Sequence, residues 1–299
     1  MTLGSDTANR AADAPVWLIT GAGRGLGRAF AQAALDSDAR VVGTVRTPDA
    51  LAELTATAPD RVREIVVDVR DRSAVHTAVR AAANAFGRLD VVVNNAGFGH
   101  VGTIEELTET DFRDQLDTNL LGAAWVAQAA IPYLRDSGGG DIVQISTVGA
   151  IGAIPAFGAY NASKWALEGL SEALALEVAG FGIGVTIAQL GGFATDWAGS
   201  SMRFSAPDAH YDELRTQMFG TADVPWPAAD PAEPPTDAPA RVAADALVAH
   251  LARPRADRPL RVLIGADAPV HAGLAYAARR DSYGDDARLD WPGPGLRPA

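Results

Sequence analysis

Tyr160 and Lys164 stand four residues apart in the stretch YNASK, inside a run of small residues that reads as an amphipathic helix. On a helix, positions i and i+4 share one face, so a phenol and an ammonium would face the same small molecule. A free phenol ionises near about pH 10, too high for a good base at neutral pH. A cation some 4 Å away, at an effective dielectric of about 20, favours the phenolate by roughly 4 kcal/mol before solvent screening. That scale is enough to make the phenol a proton donor and acceptor under ordinary conditions. The same pair is also common by chance on helix surfaces, so its meaning depends on the rest of the chain.

The elements that must position it alternate along the sequence. Short β-rich runs, VWLIT (16–20), RVVGTV (40–45), VREIVVDV (62–69), LDVVVNN (89–95), DIVQIST (141–147), IGVTIAQL (183–190) and PLRVLIG (259–265), are separated by Ala- and Leu-rich helical runs. The strand runs are nearly continuous in Val, Ile and Leu, as strands covered on both faces require. Strands alternating with crossover helices predict a parallel, doubly wound α/β sheet of seven strands in one domain. One helical stretch is expected from about Glu109 to Leu134 and another from about Phe157 to Gly180.

TGAGRGLG (20–27) joins the first strand to the first helix. There Gly21, Gly25 and Gly27 permit a tight turn and let backbone N–H groups, with the helix N-terminus, approach a pyrophosphate. An acid at the end of the second strand would accept from a ribose 2′-hydroxyl and repel a 2′-phosphate. This chain has Val45-Arg46 instead, and Arg24 sits inside the glycine loop. Two guanidiniums and no acid point to NADP(H), the alternative being two solvated arginines on a loop rim.

Composition excludes several other chemistries. The absence of cysteine removes disulfides, thiolate catalysis and Cys-based zinc sites. The five histidines, at 76, 100, 210, 250 and 271, form no HxxxH or HExxH pattern, so no metal is expected. A net charge of −12 argues against a nucleic-acid groove. No run reaches the apolar length of a membrane span, and the first residues lack a signal peptide's basic and apolar regions. The protein is therefore expected to be soluble and cytoplasmic, with a small-molecule partner.

Together these residues resemble the short-chain dehydrogenases/reductases, in their single-domain branch, from about Val16 to Gly265. TGAGRGLG resembles that branch's TGxxxGxG loop, and NNAG (94–97) its strand-four motif. Asn119 in DTNLLG, the hydroxyl pair Ser146-Thr147, and Tyr160 with Lys164 complete the set in the family's order. The resemblance implies a Rossmann-like sheet of order 3-2-1-4-5-6-7 with helices on both faces. It implies hydride transfer between a nicotinamide cofactor and a carbonyl or alcohol carbon, with Tyr160 as general acid/base. Lys164 would depress the phenol's pKa and hold the nicotinamide ribose, and Asn119 would hold a water of a proton relay. Gly21, Arg24, Gly25, Leu26, Gly27 and Arg46 would bind the cofactor, as would Asn95, Ala96 and Gly97 along strand four. Asp68 resembles the acid that meets the adenine amine, with Val69 beside it, although an aspartate at a strand end is equally often a helix cap. Family members commonly form dimers or tetramers through the helices near 109–134 and 157–180.

Two departures bear on the chemistry. The family's catalytic serine lies thirteen positions before the tyrosine, which here is Thr147. Adjacent strand residues point to opposite faces, so Thr147 is the expected hydroxyl and Ser146 the fallback if the strand end bulges. After the sixth strand, QLGGFATDW has Leu190 where the family tends to have proline. Gly191, Phe193 and Thr195 still match residues that meet the nicotinamide carboxamide or phosphates, but a freer loop and weaker cofactor binding are expected.

Residues 1–14 read as a mobile tail, 15–267 as the catalytic domain and 268–299 as an irregular extension. Within the domain, the aromatic-rich segment from about 193 to 237 reads as a substrate lid or as extra core. As a lid it would offer Phe204, Met218, Phe219 and Trp226 as walls, with Phe98 and His100 at the mouth, to an apolar ketone, aldehyde or secondary alcohol. Two rival functions share these features. A non-catalytic NADP-binding regulator would not need the phenol. A sugar-nucleotide epimerase would carry TGxxGxxG and a larger C-terminal domain.

Overall fold

Valine- and isoleucine-rich segments assemble into one parallel sheet. A computed structural model describes residues 14–195, 197, 201–226 and 237–284. The sheet strands are β1 (Val16–Thr20), β2 (Arg40–Val45), β3 (Val62–Val66), β4 (Val91–Asn94), β5 (Gly140–Thr147), β6 (Ile183–Leu190) and β7 (Arg261–Ile264). Every pairing in it is parallel, and the order is β3-β2-β1-β4-β5-β6-β7, the one expected. Strand order reverses between β1 and β4, and ligands of such sheets bind beyond the carboxyl ends of the strands at that point.

Helices cover both faces. On one lie α1 (Gly25–Asp36), α2 (Ala52–Thr57) and α8 (Ala240–Leu251), whose Phe30, Leu35, Leu54 and Leu247 share a core with Ile19, Val41 and Val93. On the other lie α3 (Arg72–Phe86), α5 (Gly122–Asp136) and α6 (Gly158–Val178), whose Val79, Val126 and Leu174 pack on Leu18, Val92 and Ile142. Alternate residues of one strand thus feed opposite cores. Asp71 caps α3 by accepting from Ala74 N–H at 2.9 Å. Thr108 and Asp111 form a capping box that opens α4 (Glu109–Leu116).

Three expectations need correction or completion. The stretch expected to run from Glu109 to Leu134 is broken between α4 and α5 by a π-helical turn, Asp117–Leu121, which carries Asn119; such turns often accompany functional residues. The segment after 267, expected to be irregular, begins as a fourteen-residue helix, α9 (Ala268–Asp281). Pro269 supplies a ready-made first turn there, and the alanines that follow favour helix. The aromatic segment after β6 is tied to the body at three places. Residues 193–194 pair with 238–239, residues 202–204 pair with 99–101, and α7 (Asp212–Phe219) is anchored by Arg215. Arg215 is buried against Glu106 at 2.6 Å and donates to Asp212 at 2.6 Å. The expected tail, the last fifteen residues of the expected extension and part of the aromatic segment lie outside the described residues. Among those described, no helix is long and apolar enough to cross a membrane, and no cluster could hold a metal ion.

Candidate active site

The cleft starts where β1 runs into α1. Thr20 Oγ1 accepts from the N–H groups of Asn95 and Ala96, both at 3.0 Å, and Asn95 Nδ2 donates to the Thr20 and Gly21 carbonyls at 2.9 and 3.2 Å. The ends of β1 and β4 are therefore stitched together at the switch point. Gly21 and Gly25 have φ of 67° and 52°, a region L side chains avoid. A Cβ on Gly27 would lie 2.2 Å from the Gly21 carbonyl oxygen. At the N-cap, Arg24 makes no side-chain capping bond, and the first turn of α1 carries no acid. The result is a glycine cradle at a positive helix end, which suits a pyrophosphate.

From this cradle a cleft of about 600 Å³ runs to both sides. Toward β2 and β3 it is lined by Arg24, Arg46, Asp68 and Val69; along the glycine turn and β4 by Gly21, Gly25, Leu26, Gly27, Asn95, Ala96 and Gly97; toward β5 and β6 by Thr147, Tyr160, Lys164, Gly191, Phe193 and Thr195. All the residues expected to touch a dinucleotide thus share one space. Asp68 is not a helix cap, since Asp71 has that position. Arg70 grips it, with Nε at 3.0 and 3.1 Å and Nη2 at 2.7 Å from its carboxylate oxygens. This pairing holds the Asp68 carboxyl below its usual range against the opposing effect of burial.

At the β5 end the strand's alternation separates the two hydroxyls. Ser146, although it borders the cleft, is buried and commits its hydroxyl to Glu168 Oε1 at 2.7 Å. Glu168 also accepts from Gln189 Nε2, at 2.8 and 3.0 Å, and from Arg261 Nε at 3.0 Å. Thr147 Oγ1 accepts from Gly149 N–H at 3.3 Å, leaving its own proton to donate, and its side chain interacts with Tyr160.

Tyr160 and Lys164 are 7% and 6% exposed, so neither is a surface decoration. Lys164 Nζ donates to the Ile145 carbonyl at 2.7 Å. Burial lowers its pKa to about 8, and the nearby Glu168 charge resists the drop. The Tyr160 phenol is pushed above its ordinary value by burial, with Thr147 pulling the other way. In the free chain burial is thus the dominant influence on the phenol, and Lys164 is not among the groups that shift it. Asn119 lies behind the cleft wall. Its Oδ1 accepts from Phe98 N–H at 3.1 Å, and its Nδ2 donates to the Phe98 carbonyl at 3.0 Å and to Ser163 Oγ at 3.1 Å. Ser163 lies between Tyr160 and Lys164 on α6, so the π turn is locked to the helix that carries both.

The aromatic segment divides between wall and core. Trp197 lines the cleft, its ring 5.3 Å from that of Tyr160 and stacked on Phe157 at 6.2 Å. Phe204 and Phe219 pack on Trp226 at 5.0 and 5.2 Å, and Phe219 packs edge-on against Phe157. These three back the wall without facing the cleft, and Met218 is exposed. His100 is buried with Nε2 3.0 Å from Ser205 Oγ, so it is not at the mouth, whereas Phe98 is, under the Arg203 guanidinium at 4.3 Å. The loop after β6 is tighter than Leu190 suggested, because Leu190 stays in the sheet and Gly191 N–H continues the ladder to the Ile264 carbonyl at 2.9 Å. Trp197 belongs to the aromatic segment read as lid or core, whereas Glu168 and the Ile145 carbonyl were not singled out in the sequence. The glutamate's i+4 spacing from Lys164 was a usable signal; a backbone carbonyl gives none.

Residues 15–205 match the family model described as short chain dehydrogenase. The chain belongs to this family. Oxidoreductase BOA17 of Botryotinia fuckeliana is 36% identical over 269 residues, spanning 87% of this chain and 92% of that protein. A 3-ketodihydrosphingosine reductase of Bacteroides thetaiotaomicron is 42% identical over 178 residues, 60% of this chain and 64% of that protein. Among solved structures, a short-chain dehydrogenase from Streptomyces avermitilis superposes with a TM-score of 0.80 at 35% identity, covering 90% of this chain and 94% of that one. This short-chain dehydrogenase is accordingly an oxidoreductase of a family that uses nicotinamide dinucleotides.

Proposed function

We propose that this protein is an NADP(H)-dependent oxidoreductase that reduces an apolar ketone or aldehyde, or oxidises the matching secondary alcohol, with Tyr160 as general acid/base. The observation that carries the reading is one continuous cleft leading from the glycine cradle to the Tyr160 hydroxyl, Thr147 and Lys164. The cradle fits a dinucleotide, which when bound supplies the hydride. Arg24 and Arg46 would take its 2′-phosphate; Asp68 and Val69 would meet its adenine; Asn95, Ala96, Gly97, Gly191, Phe193 and Thr195 would flank the remainder. The phenol, kept protonated by burial, stands ready to donate to a carbonyl oxygen gaining negative charge. Thr147 donates a second hydrogen bond to that oxygen, and Lys164 supplies positive charge beside it. Asn119 fixes the helix that carries both, and a water-linked proton relay through it to Lys164 would complete the path to solvent. Trp197 and Phe98 give the substrate end its apolar character. Purified protein mixed with NADPH and a panel of apolar ketones and aldehydes should consume the reduced cofactor's absorbance. Failure with every carbonyl and with the matching alcohols would sink the proposal.

Two further outcomes follow. Arg46→Ala should raise the KM for NADPH about 10–100-fold, the range for losing a hydrogen bond to a charged group, while leaving the KM for NADH unchanged. An equal change for both nucleotides would remove Arg46 from the 2′-phosphate site. The second concerns pH. With a free-enzyme pKa near 8, Lys164 is an ammonium at neutral pH and loses its proton as pH rises. Since kcat/KM reports the free enzyme, kcat/KM for reduction should be level below that value and fall above it. A profile still level at about pH 10 would mean the lysine charge is not needed.

A further inference from the structure

The helix α9 buries only Ala268 and Ala272 among its fourteen residues, and Val270, Leu274 and Tyr276 are more than half exposed. Core burial therefore accounts for little of its attachment. Side chains near its two ends reach instead to the two loops that follow the adjacent strands β5 and β6 at the cleft's catalytic end. We propose that α9 is a brace of the active site, in which Asp267 at its start positions the Gly191–Gly192 loop and Arg279 in its last turn positions the 148–152 loop that follows Thr147.

The first contact is made by a side chain at the start of the helix that reaches outward while lying 3.8 Å from His271 one turn along. Asp267 occupies the N-cap position of α9 yet makes no side-chain capping bond; its Oδ2 accepts from Gly192 N–H at 2.9 Å. The fit leaves no room, since a Cβ on Gly191 would lie 2.0 Å from Asp267 Oδ1. Two successive glycines leaving a buried strand have more torsional freedom than any other pair. The Gly191 ladder bond and the Asp267 carboxylate take up that freedom from two directions.

The second contact passes through a tryptophan. The Arg279 guanidinium lies over the Trp165 ring at 4.2 Å and donates from Nη2 to the Ile151 carbonyl at 3.2 Å. Trp165 Nε1 donates to the Gly149 carbonyl at 3.0 Å, and Gly149 N–H is the group that turns the Thr147 hydroxyl. A Cβ on Gly152 would meet Ala275 Cβ at 2.8 Å, so the loop packs against Ala275 of the helix with no room for a side chain between them. Neither Asp267 nor Arg279 lines the cleft. Both act through other residues, which makes them positioning residues.

The consequence for cofactor affinity rests on the dinucleotide reading above; the loop ordering does not. The decisive measurement is amide hydrogen exchange by mass spectrometry on the free, full-length protein. Asp267→Ala should speed exchange about fivefold in peptides covering 190–195 and leave 148–156 unchanged. Arg279→Ala should do the reverse. Asp267→Asn keeps a carbonyl acceptor for Gly192 N–H and should restore the wild-type pattern. NADPH titration by fluorescence should show a Kd raised about fivefold in Asp267→Ala and within about twofold of wild type in Asp267→Asn and Arg279→Ala. Unchanged exchange in both loops, or equal acceleration of both loops in both variants, would overturn the brace. Wild-type protein that ignores NADPH would overturn the cofactor reading alone, with the exchange pattern still deciding the role of α9.

Discussion

Tyr160→Phe should bind NADPH as the wild type does and lose carbonyl reduction by about 10²–10⁴-fold, the range for a positioned proton donor. The ring is not the issue. It packs at 5.3 Å from Trp197 and 6.1 Å from Phe157, and phenylalanine preserves both contacts. What disappears is the single hydroxyl near Thr147. Burial holds the phenol protonated and above its ordinary pKa. On the proposed mechanism the proton is therefore in place in the free enzyme, and its release leans on the Lys164 ammonium to stabilise the phenolate left behind. Alcohol oxidation asks the phenol to ionise first, so the oxidised nicotinamide's positive charge and the Lys164 ammonium must favour the phenolate in that direction. Steady-state turnover of a responsive carbonyl, with a parallel fluorescence titration of NADPH, separates the two effects. A variant that keeps more than about a tenth of the wild-type rate would be too active for this mechanism, and one that no longer binds NADPH would reveal a packing role.

Glu168→Ala should cost about 3 kcal/mol of stability and lower the melting temperature by roughly 6 °C. The carboxylate gathers donors from three strands: Ser146 on β5, Gln189 on β6 and Arg261 on β7. Ser146 and Gln189 are 2% exposed, so truncation strands two buried donors and leaves the guanidinium without this buried partner. Unpaired buried groups lose their full desolvation free energy, well beyond the net strength of one hydrogen bond. Glu172 provides the control. It also pairs with Arg261 but is about half exposed, so Glu172→Ala should change stability by less than about 1 kcal/mol. Thermal unfolding of the two variants side by side tests the contrast, and equal effects would show that Glu168 is no hub. Losing Glu168 also removes the charge that resists the lowering of the Lys164 pKa, so any residual activity should decline at a lower pH than in the wild type.

Much of this was present in the order of residues. Seven aliphatic runs, the glycines between β1 and α1, and the YNASK pair are local patterns. A strand's burial shows as an unbroken Val/Ile run, and a tight turn shows as glycine because φ near 60° excludes side chains. Thr147, counted from Tyr160, also lay within reach of a sequence argument, since alternation along a strand is a local rule.

Tertiary structure decided what local rules leave open. The Ser146 hydroxyl is engaged by a carboxylate 22 residues away, and the loop after β6 is held by an aspartate 75 residues from it. Phe204, Phe219 and Trp226 became a backing core instead of a wall because they found one another in the folded chain. The protonation of Tyr160 and Lys164 likewise follows from how deeply each is buried. Residue types and their spacing determined which groups could do chemistry; long-range contacts determined which of them face the cleft and in what charge state, because burial and pairing are properties of the folded neighbourhood that no short window of sequence contains.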